Sequence, residues 1–158
     1  MPVRERQGQL VGVDLRVVGG TGAKYLCVKG QRWDGLNFVR PSVRARTDVI
    51  AVAEGAIDAI GFAEATGVAT VGIESTGVAH TAVARIRDVA AGRAVAVAID
   101  DDDAGNRAAA GFLAGVPNSF RIGLNGGDVC DELAAGKDLT SRVAAGMGLG
   151  GCGRGVEL

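Results

Sequence analysis

Four consecutive acidic residues, Asp100–Asp103, directly follow the apolar run at residues 95–99. Such an apolar run predicts a strand buried on both faces, and its end delivers the carboxylates together to one edge of a sheet. Adjacent carboxylates repel one another, and Mg²⁺ is an ion that a few carboxylate oxygens hold. The run therefore predicts a divalent metal site. Asp100 and Asp102 are the expected ligands, because their i, i+2 spacing puts both side chains on one face of an extended backbone.

A second acidic group follows another predicted strand, at residues 49–53. Glu54 comes directly after this strand, and Asp58 lies in the first turn of the helix predicted next. Gly55, like Gly105 behind the acidic run, is expected to let the backbone turn sharply from strand to helix. Both glycines therefore support the interpretation that these turns lie beside an ion.

A third acidic group, Asp128 with Asp131, follows the strand predicted at 119–122 and a glycine-containing turn at 125–127. In an open parallel sheet the functional crevice lies beyond the carboxyl ends of the strands, so the three groups are expected to meet there. Structural roles stay open for single members. Asp58 can complement a helix dipole, and Asp128 can cap a helix.

The elements that must position these acids alternate between strand and helix from residue 48 onwards, which predicts an α/β fold with a parallel sheet flanked by helices. The predicted strands are 49–53, 69–73, 95–99 and 119–122, and the predicted helices are 56–66, 79–91, 104–114, 128–135 and 139–145. Ahead of them, the segments 10–18 and 24–28 predict a β hairpin.

The order of the predicted elements divides the chain into three expected regions. Residues 1–47 form an N-terminal β hairpin region, residues 48–145 form the catalytic core, and the glycine-rich residues 146–158 form a flexible tail.

Composition limits the classes of protein that the chain can represent. Its 158 residues are 47% apolar and carry a net charge of −1, which suits one globular domain whose nucleic-acid contacts come from a local patch. Arg40, Arg44 and Arg46 supply a candidate patch. The three separated cysteines support neither a disulfide framework nor a zinc site with paired ligands. Without a leader or a membrane-length apolar run, a soluble cytoplasmic protein with no membrane partner is expected.

The chain contains the segment EGAIDA at 54–59 and the segment IDDDDAG at 99–105. In their order and spacing, these segments resemble the two motifs of the Toprim domain, which are an acidic residue and, further along the chain, a DxD motif. The NRAA that follows the second motif resembles bacterial-type primases and bacteriophage primase-helicases. So do KYL at 24–26, the segment 71–77, and GDVCD at 127–131. The resemblance covers roughly residues 22–135.

The resemblance implies a Rossmann-like Toprim core that performs Mg²⁺-dependent, or Mn²⁺-dependent, phosphoryl transfer on nucleic acid. Its most specific form is RNA primer synthesis on a single-stranded DNA template, by a DNA primase or a primase subunit. Asp100, Asp102 and Asp128 would hold the metal, and Glu54 would act as a further ligand or as a general acid or base. Lys24 and the three arginines would contact the template or the incoming ribonucleoside triphosphate.

Two other functions stay open. Neither a zinc-binding domain nor a Walker A loop is recognisable, so a replicative helicase or a separate template-binding subunit is an expected partner. The same metal site with water as the nucleophile would give a Toprim nuclease. A non-catalytic module that assembles with replication proteins is the third possibility.

Overall fold

The computed structural model describes residues 36–73 and 79–150, together with the backbone of three earlier strands. The strands are β1 (Pro2–Arg4), β2 (Leu10–Arg16), β3 (Tyr25–Cys27), β4 (Asn37–Val39), β5 (Val49–Ala53), β6 (Thr70–Gly72), β7 (Ala94–Ala98) and β8 (Ser119–Arg121). The helices are α1 (Ala56–Thr66), α2 (Ala79–Ala90), α3 (Asp103–Gly115), α4 (Val129–Ala134) and α5 (Leu139–Gly150). Within the described part of the chain, no helix has the length and apolarity needed to cross a bilayer.

A five-stranded sheet in the order β4-β6-β5-β7-β8 forms the centre of the fold. Strands β6, β5, β7 and β8 are parallel, which confirms the predicted α/β architecture. The edge strand β4 was not predicted, and it runs antiparallel to β6. Three residues are too few to show a readable period-2 alternation, so the sequence pattern gave no signal for this strand.

The core lies on both faces of the sheet, which explains why β5 and β7 are apolar without interruption. On one face, side chains of β5 and β7 form a cluster with α2 and α3 that includes Ile50, Val97, Ile86 and Phe112. On the other face, the alternate positions cluster with α1, α4 and α5, and this second cluster includes Val49, Ala96, Phe62 and Leu139. Each such large side chain, when fully buried, contributes about 1.5–3 kcal/mol to folding.

The N-terminal strands form a separate three-stranded antiparallel sheet, in the order β1-β2-β3. The predicted hairpin is confirmed, because Asp14 pairs with Cys27 and Arg16 with Tyr25. Strand β1 adds to it on the side of β2 that faces away from β3. The division of the chain into a hairpin region and a core stays a prediction.

Helix α5 continues to Gly150, so the expectation of a flexible tail from residue 146 is wrong for residues 146–150. The physical reason is packing. Met147 lies against the α1-side core cluster, and Gly146 fits closely against the ring of Phe120. Residues 151–158 of the predicted tail lie outside the described residues.

Candidate functional site

The first two acidic groups follow neighbouring parallel strands. In the register of β5 and β7, Ala53 lies opposite Ala98, so Glu54 and Asp100 emerge at the same carboxyl edge of the sheet. Adjacent strands are about 4.8 Å apart, which makes the two turns direct neighbours. The side chains of both residues are partly buried, whereas Asp102 is exposed. Their convergence on one ion stays a prediction.

The acidic run obtains part of its charge compensation from the protein itself. Nη2 of Arg121, at the end of β8, lies 2.9 Å from Oδ1 of Asp101 and also donates to the carbonyl oxygen of Asp100 at 3.0 Å. The hydrogen bond from Arg121 is the main cause that lowers the pKa of the Asp101 carboxyl, and backbone N–H groups of Gly126 and Leu124 lower it further against the opposing effect of burial. Arg121 therefore neutralises the charge of Asp101, so a metal ion is not needed to balance all four adjacent carboxylates.

Asp102 caps helix α3. Its Oδ1 accepts a hydrogen bond of 2.7 Å from the backbone N–H of Gly105, and its extended backbone (φ −91°, ψ 176°) is typical of an N-cap. A carboxylate has two oxygens with several lone pairs, so this bond leaves acceptor capacity on Asp102 for a cation. The i, i+2 argument thus missed a structural role for this predicted ligand.

The two glycines of these turns do not act as predicted. Gly55 precedes α1 with φ −116° and ψ 165°, an extended conformation open to any residue. Gly105 lies inside the first turn of α3, where a Cβ would overlap the carbonyl oxygen of Asp100. The prediction of a sharp, glycine-dependent turn is therefore wrong for both residues, and Gly105 is instead required by the close approach of two backbone segments.

The third acidic group is associated with α1. One ligand atom from each of Asp58, Asp128 and Cys130 lies within 4.8 Å of the other two, and Asp58 is buried while its two partners are partly buried. No other group of three acidic, cysteine or histidine side chains comes so close in the described part of the chain. Sequence reasoning included Cys130 in a motif but did not identify it as a possible ligand.

Asp128 and Asp131 form a capping box at the start of α4. Oδ1 of Asp128 accepts from the backbone N–H of Asp131 at 2.8 Å, and Oδ2 of Asp131 accepts from the backbone N–H of Asp128 at 3.5 Å. This arrangement satisfies two backbone donors at the helix start. Asp131 thereby fixes the position of Asp128, and a supporting role of Asp131 at a metal site stays a prediction.

The predicted basic residues lie far from the acids. Because β4 is antiparallel to β6 and pairs Val39 with Thr70, Arg40 emerges at the amino edge of the parallel strands. At about 3.3 Å per residue, the length of β5 separates the two edges of the sheet by about 15 Å. Arg44 is exposed beside Gly67, which precedes β6 at the same amino edge. Arg40 and Arg44 are therefore not at the acidic edge, and their contact with a template or an incoming triphosphate stays a prediction.

Arg46, the third of these arginines, is engaged within the protein. Its Nη2 lies 2.9 Å from Oδ2 of Asp48 and donates to Sδ of Met147 at 3.2 Å, while its backbone N–H donates to Gly67. The charge of Arg46 is thus balanced by Asp48. Lys24, the fourth predicted basic contact, lies outside the described residues.

Comparison with known proteins finds similarity to Toprim-like domains within part of the chain. Residues 51–125 match the family model described as Toprim-like, whereas no curated protein sequence gives a match. Three solved structures share the fold at 16–17% identity, a level at which the likeness concerns the fold alone.

The first is the primase fragment of the bacteriophage T7 primase-helicase protein, with a TM-score of 0.68, 17% identity and coverage of 91% of this chain and 60% of that chain. The second is bacteriophage T7 lagging-strand DNA polymerase interacting with primase domains of two gp4 subunits bound to an RNA/DNA hybrid and dTTP, with a TM-score of 0.67, 16% identity and coverage of 92% and 74%. The third contains the zinc-binding and RNA polymerase domains of the Aquifex aeolicus primase, with a TM-score of 0.62, 16% identity and coverage of 94% and 39%.

The chain therefore spans less than two thirds of the first and third of these structures. Its first two acidic groups follow the carboxyl ends of parallel strands, and the family model covers both of these strand ends. Residues 51–125 of this chain form a Toprim-like domain, on the fold of the Toprim core of phage and bacterial primases.

Proposed function

We propose that this protein performs Mg²⁺-dependent phosphoryl transfer on nucleic acid, and that the reaction is RNA primer synthesis on single-stranded DNA by a DNA primase or primase subunit. The observation that carries the proposal is the placement of Glu54 and Asp100 at neighbouring strand ends of a Toprim-like sheet. Toprim-like folds of T7 and Aquifex primases support the choice of primer synthesis over other phosphoryl transfers.

The donor atoms at this edge fit a hard divalent ion. Carboxylate oxygens suit Mg²⁺ and Mn²⁺, and the three acidic groups supply several of them. We assign the metal ligands to Glu54, Asp100, Asp102 and Asp128, and we add Asp58 as a candidate because it lies beside Asp128. A bound Mg²⁺ would neutralise phosphate oxygens and stabilise the charge that develops during phosphoryl transfer.

The remaining roles, proton transfer and contact with phosphate groups, are assigned to individual residues. Glu54, partly buried next to the acidic run, is placed to hold a metal or to accept a proton from an attacking hydroxyl. Arg40 and Arg44, exposed at the amino edge, are assigned to the phosphate backbone of a template strand instead of the reacting triphosphate. Lys24 is proposed as a further phosphate contact.

The proposed substrates are a single-stranded DNA template and ribonucleoside triphosphates. The T7 structure that includes primase domains contains an RNA/DNA hybrid and dTTP, that is, a nucleic acid and a nucleoside triphosphate, although dTTP is a deoxyribonucleotide. A replicative helicase or a template-binding subunit would complete the template recognition. Replication of this kind places the proposed activity in the cytoplasm.

The test combines metal binding with two activity measurements. The protein is incubated with single-stranded DNA, four labelled ribonucleotides, and Mg²⁺ or Mn²⁺, and both RNA synthesis and DNA breakage are followed. Mn²⁺ binding is measured separately by electron paramagnetic resonance. Glu54→Gln and Asp100→Asn should each weaken metal binding by at least about 10-fold, the loss that even outer-shell partners of a metal cause. Asp88→Asn, which changes an exposed acid on α2, is the control and should bind as the wild type does.

The products separate the proposed function from its alternatives. Short RNA products that disappear in Glu54→Gln and Asp100→Asn, but persist in Asp88→Asn, support primer synthesis. DNA breakage with the same dependence identifies a nuclease and overturns primer synthesis. Wild-type protein that binds neither Mg²⁺ nor Mn²⁺ overturns the enzymatic function and leaves the non-catalytic module.

A further inference from the structure

Asp101, between the two predicted ligands of the acidic run, directs its carboxylate away from the strand end and onto the loop that follows β8. Oδ1 of Asp101 lies 2.9 Å from Nη2 of Arg121. Oδ2 accepts hydrogen bonds from the backbone N–H of Leu124 at 3.2 Å and of Gly126 at 3.4 Å. Both oxygens are thus engaged by donors from β8 and the loop, and 26% of the side chain remains exposed.

The loop at 122–128 needs such an anchor because its backbone is unusual. Asn125 and Gly126 have φ values of +50° and +87°, so two consecutive residues occupy the left-handed region. A non-glycine residue there costs free energy and persists only where the surroundings hold it. Within the loop itself, one backbone bond of 3.1 Å joins the N–H of Gly127 to the carbonyl of Leu124.

A second anchor holds the same loop from the side of α4 and α5. The buried Glu132 accepts from Nδ2 of Asn125 at 3.0 Å and pairs with Nη2 of Arg142 at 2.6 Å. Arg142 also donates to the carbonyl oxygen of Gly123. The loop is therefore fixed between Asp101 on one side and the Glu132–Arg142 pair on the other.

This loop ends at Asp128, whose carboxylate lies beside that of Asp58. Asp101 consequently connects the turn that carries Asp100 and Asp102 with the loop that carries Asp128. Arg121 strengthens the connection, because the same Nη2 also contacts the carbonyl of Asp100. A charge-assisted hydrogen bond of this kind is roughly twice as strong as a neutral one.

We propose that Asp101 is a positioning residue, which does not bind the metal but fixes Asp128 relative to Asp100 and Asp102 and thereby sets the affinity for the divalent ion. The inference rests on the proposed metal-dependent function. It concerns a second layer around the ligands, and groups of that layer commonly change metal affinity by 10–100-fold when removed.

The test compares three substitutions within or near the acidic run. Asp101→Ala should lower Mn²⁺ affinity by about 10-fold or more. Asp103→Ala removes an equal charge from an exposed position at the start of α3, and its loss should stay below about 3-fold because solvent screens exposed charges. Arg121→Lys keeps the positive charge but loses the geometry of the guanidinium, so it should also weaken Mn²⁺ binding.

Amide hydrogen exchange gives a readout that needs no metal. The N–H groups of Leu124 and Gly126 should exchange faster in Asp101→Ala than in the wild type, and at the wild-type rate in Asp103→Ala. Asp101→Asn retains an oxygen for these two amides but loses the ion pair. It should give intermediate exchange rates and serves as the second variant if Asp101→Ala does not fold.

Different results overturn the inference and the proposed function. If the wild type binds Mn²⁺ but Asp101→Ala and Asp103→Ala weaken binding equally, the inference fails while the function stands. If Arg121→Lys leaves Mn²⁺ affinity unchanged or raises it, the contact between Arg121 and Asp101 does not set the affinity, and the inference fails. Unchanged exchange at Leu124 and Gly126 in Asp101→Ala overturns the inference irrespective of metal. Absence of Mn²⁺ binding by the wild type overturns the proposed function as well as the inference.

Discussion

Gly105→Ala tests the close contact between α3 and the acidic turn. The new Cβ would overlap the carbonyl oxygen of Asp100, lie 2.9 Å from its carbonyl carbon, and lie 3.2 Å from Cγ2 of Ile99. Ordinary carbon–carbon contacts are about 3.5–4.0 Å, so the helix start and the turn must separate by about 1 Å. Because the obstructing atoms belong to the backbone, a change of rotamer cannot relieve the overlap.

The expected cost follows from two opposing effects. Overpacking in a tightly packed region costs about 1–3 kcal/mol. Alanine is the better helix former by about 1 kcal/mol, which reduces the net loss to about 0–2 kcal/mol. A domain of this size loses about 2–4 °C in Tm per kcal/mol, so Gly105→Ala should lower the Tm by up to about 8 °C. The displaced turn also carries Asp100, so Mn²⁺ affinity should fall in the same variant.

Gly111→Ala is the matched control in the same helix. Gly111 is exposed, and a Cβ at this position meets no atom within 4 Å. Only the helix propensity changes there, so the control should be stabilised by about 0.5–1 kcal/mol and should keep its Mn²⁺ affinity. Both variants are measured by thermal unfolding and by Mn²⁺ titration. A Gly105→Ala protein at least as stable as Gly111→Ala would refute the steric reasoning.

Two further predictions concern α5. Gly146→Ala should destabilise the protein by about 1–3 kcal/mol in chemical denaturation, because its Cβ would overlap two ring carbons of Phe120. Gly148→Ala is the control and should not destabilise the protein, because a Cβ there meets no atom within 4 Å. Equal denaturation midpoints for the two variants would contradict this packing. Asp138 precedes α5, and hydrogen bonds from the hydroxyl and then the backbone N–H of Ser141 lower the pKa of its carboxyl below 3.8. Its stabilising effect is therefore present above about pH 4 and is lost as the pH falls through the lowered pKa, so the Tm difference between wild type and Asp138→Ala should shrink on acidification. The difference is small because the carboxyl is exposed, and Tm curves that stay parallel down to about pH 2.5 would contradict the assignment.

The positions of the first two acidic groups could be predicted because they depend on a general property of parallel sheets. Runs buried on both faces identify β5 and β7, and parallel strands bring Glu54 and Asp100 to one edge whatever the details of the loops. The role of Arg121 could not be predicted in this way. It depends on β8 lying directly beside β7, and the strand order of a sheet is not readable from periodicity in one sequence.

The position of the arginines could not be predicted for a similar reason. Contact with the reacting triphosphate would require the arginine segment to lie at the same edge as the acids, whereas contact with a template strand would not. Strand β4 is too short to be recognised, and it is antiparallel to β6, so its carboxyl end and Arg40 point to the opposite edge. The proximity of Cys130 to Asp58 and Asp128 was also not readable, because it depends on how α4 packs against α1.

Among the described residues, Arg40 and Arg44 are exposed at one edge of the sheet and the acidic groups lie at the other, so the two edges differ in local charge. A polyanion that approaches from solution meets an attractive potential at one end of the molecule and a repulsive one at the other. For the proposed DNA template, this difference in local charge would orient the strand before any contact forms. Added salt should therefore slow association more strongly than the net charge of −1 alone would suggest.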